Sequence, residues 1–520
     1  MQFKRYKNSI GIILLIISLN NFMGCTKNFT AINTDPYNIP AENVNGNLLG
    51  MAFAESEYQG LFGYYTVWQQ AQNLYGDLYS QYFATIANYF DSDQFLEIGR
   101  WSDYDWTYFY GTAAPQLFFV ESYTLTHKMP VEHAIAEIWK VELYHRMTDY
   151  WGPIIYSQFG NGETSVGYDS QKDIYESFFK TLDTAVSILQ KSQNETSTFS
   201  SNDLVFNGDV SKWIVFANSL RLRLAIRIAY IEPTLGEQQA EKAVADGVMT
   251  SNSDNANVAT TMMTQNPHGQ VIDWDEFRMS AAMESVLVGY NDPRLGVYFS
   301  MAGNGGYLGV RNGLPKSDKT STLTSFSKMG KMYFLPQLGG SNPPIKVMSA
   351  SEIYFLRAEG ALRGWQMGGT AEDLYNKGIE MSLLERTNAS LSVISDYINS
   401  NNKPVPLNDT WNTPAMTDIP VKYESNASFE TRLEQIITQK WIALYPDGWE
   451  AWTERRRTGY PKGYPIIQSL NPNIPTNSMM RRLTFTLSET QNNLKAVEAA
   501  RGMLNGPDAN NTKLWWDAKP

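Results

Sequence analysis

Residues 351–384 read SEIYFLRAEGALRGWQMGGTAEDLYNKGIEMSLL. In the first half, Ile353, Leu356, Ala361 and Trp365 mark one helical face; in the second, Leu374, Tyr375, Ile379 and Leu383 do the same. Gly368-Gly369 lies between them and turns the chain. Ala358, Ala361, Ala371 and Gly378 are small enough to let two helices approach closely. A helix pair of about 34 residues matches a tetratricopeptide unit, and an ordinary αα-hairpin fits these residues equally well. Both readings predict a mostly α fold in which helix pairs form a scaffold.

The pattern extends outward from this pair. Ile174, Phe178, Leu182, Ala185 and Leu189 predict a helix over 172–190, with Ser170 as its cap. Trp213, Phe216, Leu220, Leu224 and Ile228 predict another over 212–230, with Arg221, Arg223 and Arg227 on its other faces. Ile135, Ile138, Trp139, Leu143 and Met147 give a stripe over 132–148, and Leu433, Ile436, Ile437 and Trp441 one over 430–446. Between them, 251–270, 300–345 and 397–428 are rich in Asn, Gly, Pro and Ser. These stretches also carry Tyr307, Phe326, Tyr333 and Phe334, so they predict ordered loops with a few short strands.

The N-terminus reads differently. Lys4, Arg5 and Lys7 precede an apolar run from Ile10 to Leu19, followed by Phe22-Met23-Gly24-Cys25. This is a secretory leader ending in a lipobox-like segment. The run is about half the ~20 residues that a membrane-spanning helix requires. Cys25 is the only cysteine of the chain, so no internal disulfide can form. We expect a leader over 1–24, a lipidated Cys25, an Asn/Thr/Pro-rich tether over 25–48 with a turn at Asn33-Thr34-Asp35-Pro36, and a globular body over 49–520. Acyl chains on the thiol and on the amine it exposes exceed the two anchors that stable membrane attachment needs.

The formal charge of -11 becomes three units more negative once Lys4, Arg5 and Lys7 leave. Such a surface is a poor partner for nucleic acid. His127, His133, His145 and His268 form no compact metal-ligand spacing, and no phosphate loop, dinucleotide fingerprint or nucleophile elbow occurs. We therefore expect no metal, no cofactor and no catalysis. The acidic pairs Asp91/Asp93 and Asp103/Asp105 and the group Asp273/Asp275/Glu276 keep one enzymatic alternative open, a lipid-anchored glycoside hydrolase using two carboxylates.

The richest candidate for ligand contact is 64–110. Tyr64, Tyr65, Trp68, Tyr75, Tyr79, Tyr82, Trp101, Tyr104, Trp106, Tyr108 and Tyr110 are interleaved there with Asn73, Asp77, Arg100, Asp103 and Asp105. Rings offer flat apolar faces, and the polar groups between them orient a ligand by hydrogen bonds. The candidate contacts are Tyr75, Arg100, Trp101, Tyr104 and Trp106, with Trp274 added from further along the chain.

Several strings in consistent order resemble the SusD/RagB-type nutrient-binding lipoproteins, especially the SusD-like group. They are Asn33 to Pro36, Asp149 to Tyr156 (DYWGPIIY), Trp213 to Arg227 (WIVFANSLRLRLAIR), Asn291 to Leu295 (NDPRL), Ser351 to Ala361, Gln439 to Pro461 (QKWIALYPDGWEAWTERRRTGYP) and Arg481-Arg482-Leu483. The resemblance implies four tetratricopeptide-like helix pairs carrying irregular loops. It also implies an outer-membrane, surface-facing protein that captures an oligosaccharide or peptide without cleaving it. The implied partner is a SusC-like TonB-dependent β-barrel transporter. Physically, Gly152-Pro153 predicts a helix stop, Arg294 an ion pair, and Glu454 with Arg455, Arg456 and Arg457 a set of charge-assisted hydrogen bonds that buttress loops.

Overall fold

The computed structural model describes residues 45–410 and 412–520. The predicted leader, Cys25 and the tether up to residue 44 lie outside the described residues. Helix α1 runs Gly46–Gly60 and α2 Tyr65–Trp68, and α2 passes without a break into a π-helix, Gln69–Asp77. Strand β1 (Phe83–Thr85) follows, then α3 (Gly99–Tyr108) and α4 (Ala114–Thr126). The scaffold continues with α5 (Pro130–Trp151), α6 (Gln171–Leu189), α7 (Val210–Arg227) and α8 (Pro233–Asp246), each packed on the one before.

A less regular stretch comes next. It holds β2 (Ala256–Val258), α9 (Pro267–Asp273), β3 (Phe277–Met279), α10 (Ala281–Gly289), α11 (Leu295–Tyr298) and β4 (Ile345–Met348). β1 pairs antiparallel with β3 in the register Ala84 opposite Arg278, and β2 pairs antiparallel with β4. The scaffold resumes with α12 (Ala350–Leu362), α13 (Ala371–Arg386), α14 (Leu391–Ile398), α15 (Phe429–Leu444) and α16 (Gly448–Thr458), and α17 (Leu487–Asn492) and α18 (Leu494–Arg501) close the chain. Among the described residues no helix is long and apolar enough to cross a membrane.

The predicted helices fall within a few residues of the observed ones. Ser170 caps α6, its hydroxyl accepting the Asp173 N–H, and α5 stops at Trp151 where Gly152 takes φ +85°. α12 and α13 form the most intimate pair of the scaffold. Gly378 is small there because a side chain would drive into the Phe355 ring. Gly448 serves the same end where α16 meets the π-helix, since a Cβ would collide with the Asp77 carboxylate.

One expectation is corrected. Arg221, Arg223 and Arg227 do not face solvent from an amphipathic α7; all three are buried. α7 is enclosed on every side by α5, α6, α8 and α12, so its polar face needs partners inside the protein. Arg223 reaches Glu352 at 2.7 Å and Glu142 at 3.4 Å. Arg227 reaches Glu450 at 2.6 Å, Asp149 at 3.4 Å, and Glu454. Lys440 stands 3.2 Å from Glu454, and Arg457 clasps Glu359 at 2.6 Å and Glu454 at 2.7 Å. Burial would raise the Glu454 carboxyl, but Arg457, Lys440 and Arg227 hold it well below the ordinary range. The Trp449–Arg457 string is thus a buried brace, with Arg455 donating to the Tyr79 carbonyl and Arg456 to that of Asp149. Arg294 pairs with Asp292 at 2.7 Å.

Removing one member of such a lattice strands the others in a medium that cannot solvate them. Arg227→Met is expected to cost about 3–5 kcal/mol in urea unfolding. Arg227→Lys is expected to recover little, because one ammonium cannot reproduce a guanidinium fork. A loss under about 1 kcal/mol for Arg227→Met would show the lattice to be dispensable.

Candidate functional site

In the structure the aromatic run divides into a buried and an exposed set. Tyr75 is fully buried and Trp106 nearly so. The Tyr75 ring lies 6.0 Å from Tyr79 and 6.4 Å from Trp101, and its hydroxyl donates to the Ile98 carbonyl. Trp106 stacks on Tyr168 at 5.7 Å and meets Trp151 edge-on. Trp101 is 8% exposed, wedged against Phe90 with the Arg100 guanidinium 5.9 Å from its ring. Tyr75, Trp101 and Trp106 are therefore corrected from ligand contacts to core residues. The π-helix and α3 pack their apolar faces together there. Arg100 and Tyr104 are exposed and Trp274 is half-buried.

The exposed set lies where three elements converge. α2 packs against both α3 and α9. Beneath them, the Trp68 ring sits 4.1 Å from that of His268. Tyr64 precedes α2 in extended backbone and Tyr65 opens the helix, so both rings project outward while Val67 and Trp68 turn in. Trp274 ends α9, and Asp275 at φ +61° swings the chain into β3. Tyr65 meets Trp274 edge-to-face at 5.7 Å, and Tyr64 lies 4.7 Å from Tyr65. Tyr104 lies 6.2 Å from Tyr108. Burial pushes the Tyr108 hydroxyl up to about 12, aided by Glu55, Tyr104 and Tyr64.

Polar groups stand beside the rings. The Glu276 carboxylate accepts from Gln69 Nε2 at 2.7 Å and from the hydroxyl of the exposed Tyr89. That hydrogen bond pushes the Tyr89 hydroxyl up to about 12, so it stays a donor. The result is an exposed aromatic face edged by a carboxylate held in place by an amide and a phenol. Tyr64 and Tyr65 belonged to the sequence cluster, but spacing did not single them out. Glu276 stood in one of the sequence's acidic groups, but Tyr89 and the meeting of Gln69, Tyr89 and Glu276 become visible only through the fold, because the three come from separate segments.

Three of the other acids have structural partners. Asp93 accepts from the Gly313 N–H at 2.8 Å and the Asn312 amide at 3.1 Å. Asp103 accepts from the Ser488 N–H, and Asp275 pairs with Arg278 and Lys328. On the inner side of α2 and α9 lies a polar cavity of about 210 Å³, lined by Trp68, His268, Arg146, Lys346 and Asp447. Among the described residues no three His, Cys, Asp or Glu side chains gather as metal ligands.

A family model described as Susd and RagB outer membrane lipoprotein matches residues 31–517. Among solved structures, a chitin-binding SusD homolog from Flavobacterium johnsoniae is 37% identical, with a TM-score of 0.85 over 91% of this chain and 99% of that one. A SusD homolog from Bacteroides uniformis is 32% identical (TM-score 0.83, 93% and 100% covered), and one from Bacteroides thetaiotaomicron 32% (TM-score 0.81, 91% and 99%). Comparison with curated proteins finds no match.

Two measurements check the division between core and face. Trp106→Ala is expected to destabilise by about 3–5 kcal/mol, and Tyr65→Ala by under about 1 kcal/mol; similar losses would refute it. Asp105 on α3 is buried with neither carboxylate oxygen hydrogen-bonded, and burial raises it well above the ordinary range. Its folded form holds a proton that the unfolded chain releases near pH 4, so the wild type loses stability as pH rises towards the folded value. The unfolding free energy of Asp105→Asn should therefore gain on that of the wild type as pH rises above about 5, by on the order of 1 kcal/mol per pH unit until the folded carboxyl ionises. A constant gap would mean that Asp105 is ionised in the fold.

Proposed function

Since the chain belongs to the SusD-like family of outer membrane lipoproteins, we propose that it captures a carbohydrate on the Tyr64–Tyr65–Trp274 face and passes it to a TonB-dependent β-barrel without cleaving it. The exposed aromatic face carries this reading. Sugar rings present C–H faces that stack on Tyr and Trp, while hydroxyls and amides find acceptors such as Glu276. The chitin-binding relative makes N-acetylglucosamine oligomers the first ligand to try. Their acetamido N–H groups suit a carboxylate acceptor, and their lack of charge suits an acidic protein. Capture at a surface requires anchorage, which the lipidated Cys25 would supply.

Binding without cleavage is supported by the state of the acids. Asp275 is committed to Arg278 and Lys328, and the Glu276 carboxylate is engaged by Gln69 and Tyr89. Neither is placed as a free acid opposite a free base, which a glycosidase requires.

Titration calorimetry with the N-acetylglucosamine trimer tests the proposal. Trp274→Ala and Tyr65→Ala should each weaken binding by about tenfold or more, the loss typical of a central aromatic anchor. Tyr75→Phe, a core change, should leave binding as it is. Wild-type affinity in both surface variants, or release of new reducing ends by the wild type, would overturn it.

A further inference from the structure

We infer that the aromatic face is one end of a longer binding surface, which crosses the β1–β3 ribbon into a second groove and holds a polymeric glycan at two places. This rests on the carbohydrate reading above.

The groove has a volume of about 640 Å³ and lies between the loop 304–326, the start of α10 and residues 407–410. That volume falls within the range of small-molecule sites. Leu308, Leu314, Leu323 and Phe326 form its apolar floor. Leu314 belongs to a small core with Val310 and Ala84, the central residue of β1, so the floor is built on the ribbon itself. The rim carries the exposed Asn304, Thr322 and Asn408. Glu284 faces the same space, accepting the Gly309 N–H at 2.6 Å. Arg311 stiffens the wall by donating to the Thr413 hydroxyl at 2.6 Å and the Pro465 carbonyl at 2.9 Å.

The two sites are tied by direct bonds. Arg278 of β3 is fully buried and reaches both ways. One end of its guanidinium donates to the carbonyl of Asp275, the residue after Trp274, and pairs with that carboxylate at 3.0 Å. The other donates at 2.9 Å to the carbonyl of Thr324, the residue after Leu323. A second tie runs from Lys319 Nζ to the Ala87 carbonyl at 3.1 Å, two residues before Tyr89. Between the sites, Phe90 and Phe277 stack at 5.7 Å, and the Ile86 N–H donates to the Glu276 carbonyl. The edge of the aromatic face and the wall of the groove thus share one rigid ribbon, and an extended chain crossing it meets both.

The chemistry of the groove selects its occupant. It offers amide and hydroxyl side chains over aliphatic ground, with Glu284, Asp318 and Asp409 on its walls and Arg311 as their lining cation. Acidic sugars are repelled there. Neutral sugars bearing hydroxyl and acetamido groups are accommodated.

The test compares the trimer and hexamer of β-1,4-linked N-acetylglucosamine by titration calorimetry. Wild type should bind the hexamer about tenfold more tightly than the trimer. A longer chain also offers the aromatic face more registers, so a groove variant carries the decision. Thr322→Arg combined with Asn408→Arg fills the groove from two exposed positions. It should leave trimer affinity within about twofold and abolish the gain for the hexamer; Asn304→Arg, at the same rim, should reduce that gain. A groove-filled protein that melts like wild type and keeps the full gain overturns the second site while the aromatic face stands. Wild type that binds neither oligomer overturns the carbohydrate reading itself.

Discussion

A lattice of charges buried among α5, α7, α12, α15 and α16 is the constraint on which the rest of the structure depends. Arg223 and Arg227 of α7 meet carboxylates from three other helices, and Glu454 alone receives Arg227, Lys440 and Arg457. Hydrophobic contacts tolerate sliding, because they carry no direction. Charge-assisted hydrogen bonds of this density do not. A shift of one helix by a turn would leave several ions unpaired in the interior, at several kcal/mol each. The lattice therefore sets the register in which the scaffold helices stack.

That rigidity determines what the connections can do. α2, the π-helix, α9 and the β1–β3 ribbon lie beside the helix stack and are fastened to it, the π-helix packing closely on α16. Trp441 of α15 donates to the Ser80 carbonyl at 3.0 Å and Arg455 of α16 to that of Tyr79 at 2.8 Å, and Asp77 receives the amides of Gln72 and Asn73 beside Gly448. Burial raises the Asp77 carboxyl to about 7 even with those bonds, a measure of how tightly the π-helix is enclosed. The exposed rings of Tyr64 and Tyr65 and the half-buried Trp274 thus stand on a base that does not need to reorganise on binding, which keeps the entropic cost of capture low.

The scaffold was legible in the sequence because helical periodicity is a local signal. The pair at 351–384, the cap at Ser170 and the stop at Gly152 all depend on neighbours within a turn or two. The burial of Arg221, Arg223 and Arg227 was not legible, since an arginine that faces water and one that faces a distant glutamate look alike in one dimension. The same limit governed the rings. Tyr75, Trp101 and Trp106 carry the composition of a binding site, but which side of α3 and the π-helix meets the core is decided by α5 and α16, far along the chain. Tyr104 and Trp274 were picked out and do reach the surface. Tyr89, Gln69 and Glu276 come together only through the fold.

A crystal structure of the protein with an N-acetylglucosamine oligomer tests the central claim most directly. It should place sugar rings against Tyr65 and Trp274, with an acetamido or hydroxyl group at Glu276. Sugar found solely in the polar cavity beneath α2 and α9, with Tyr65 and Trp274 left facing water, would contradict the account.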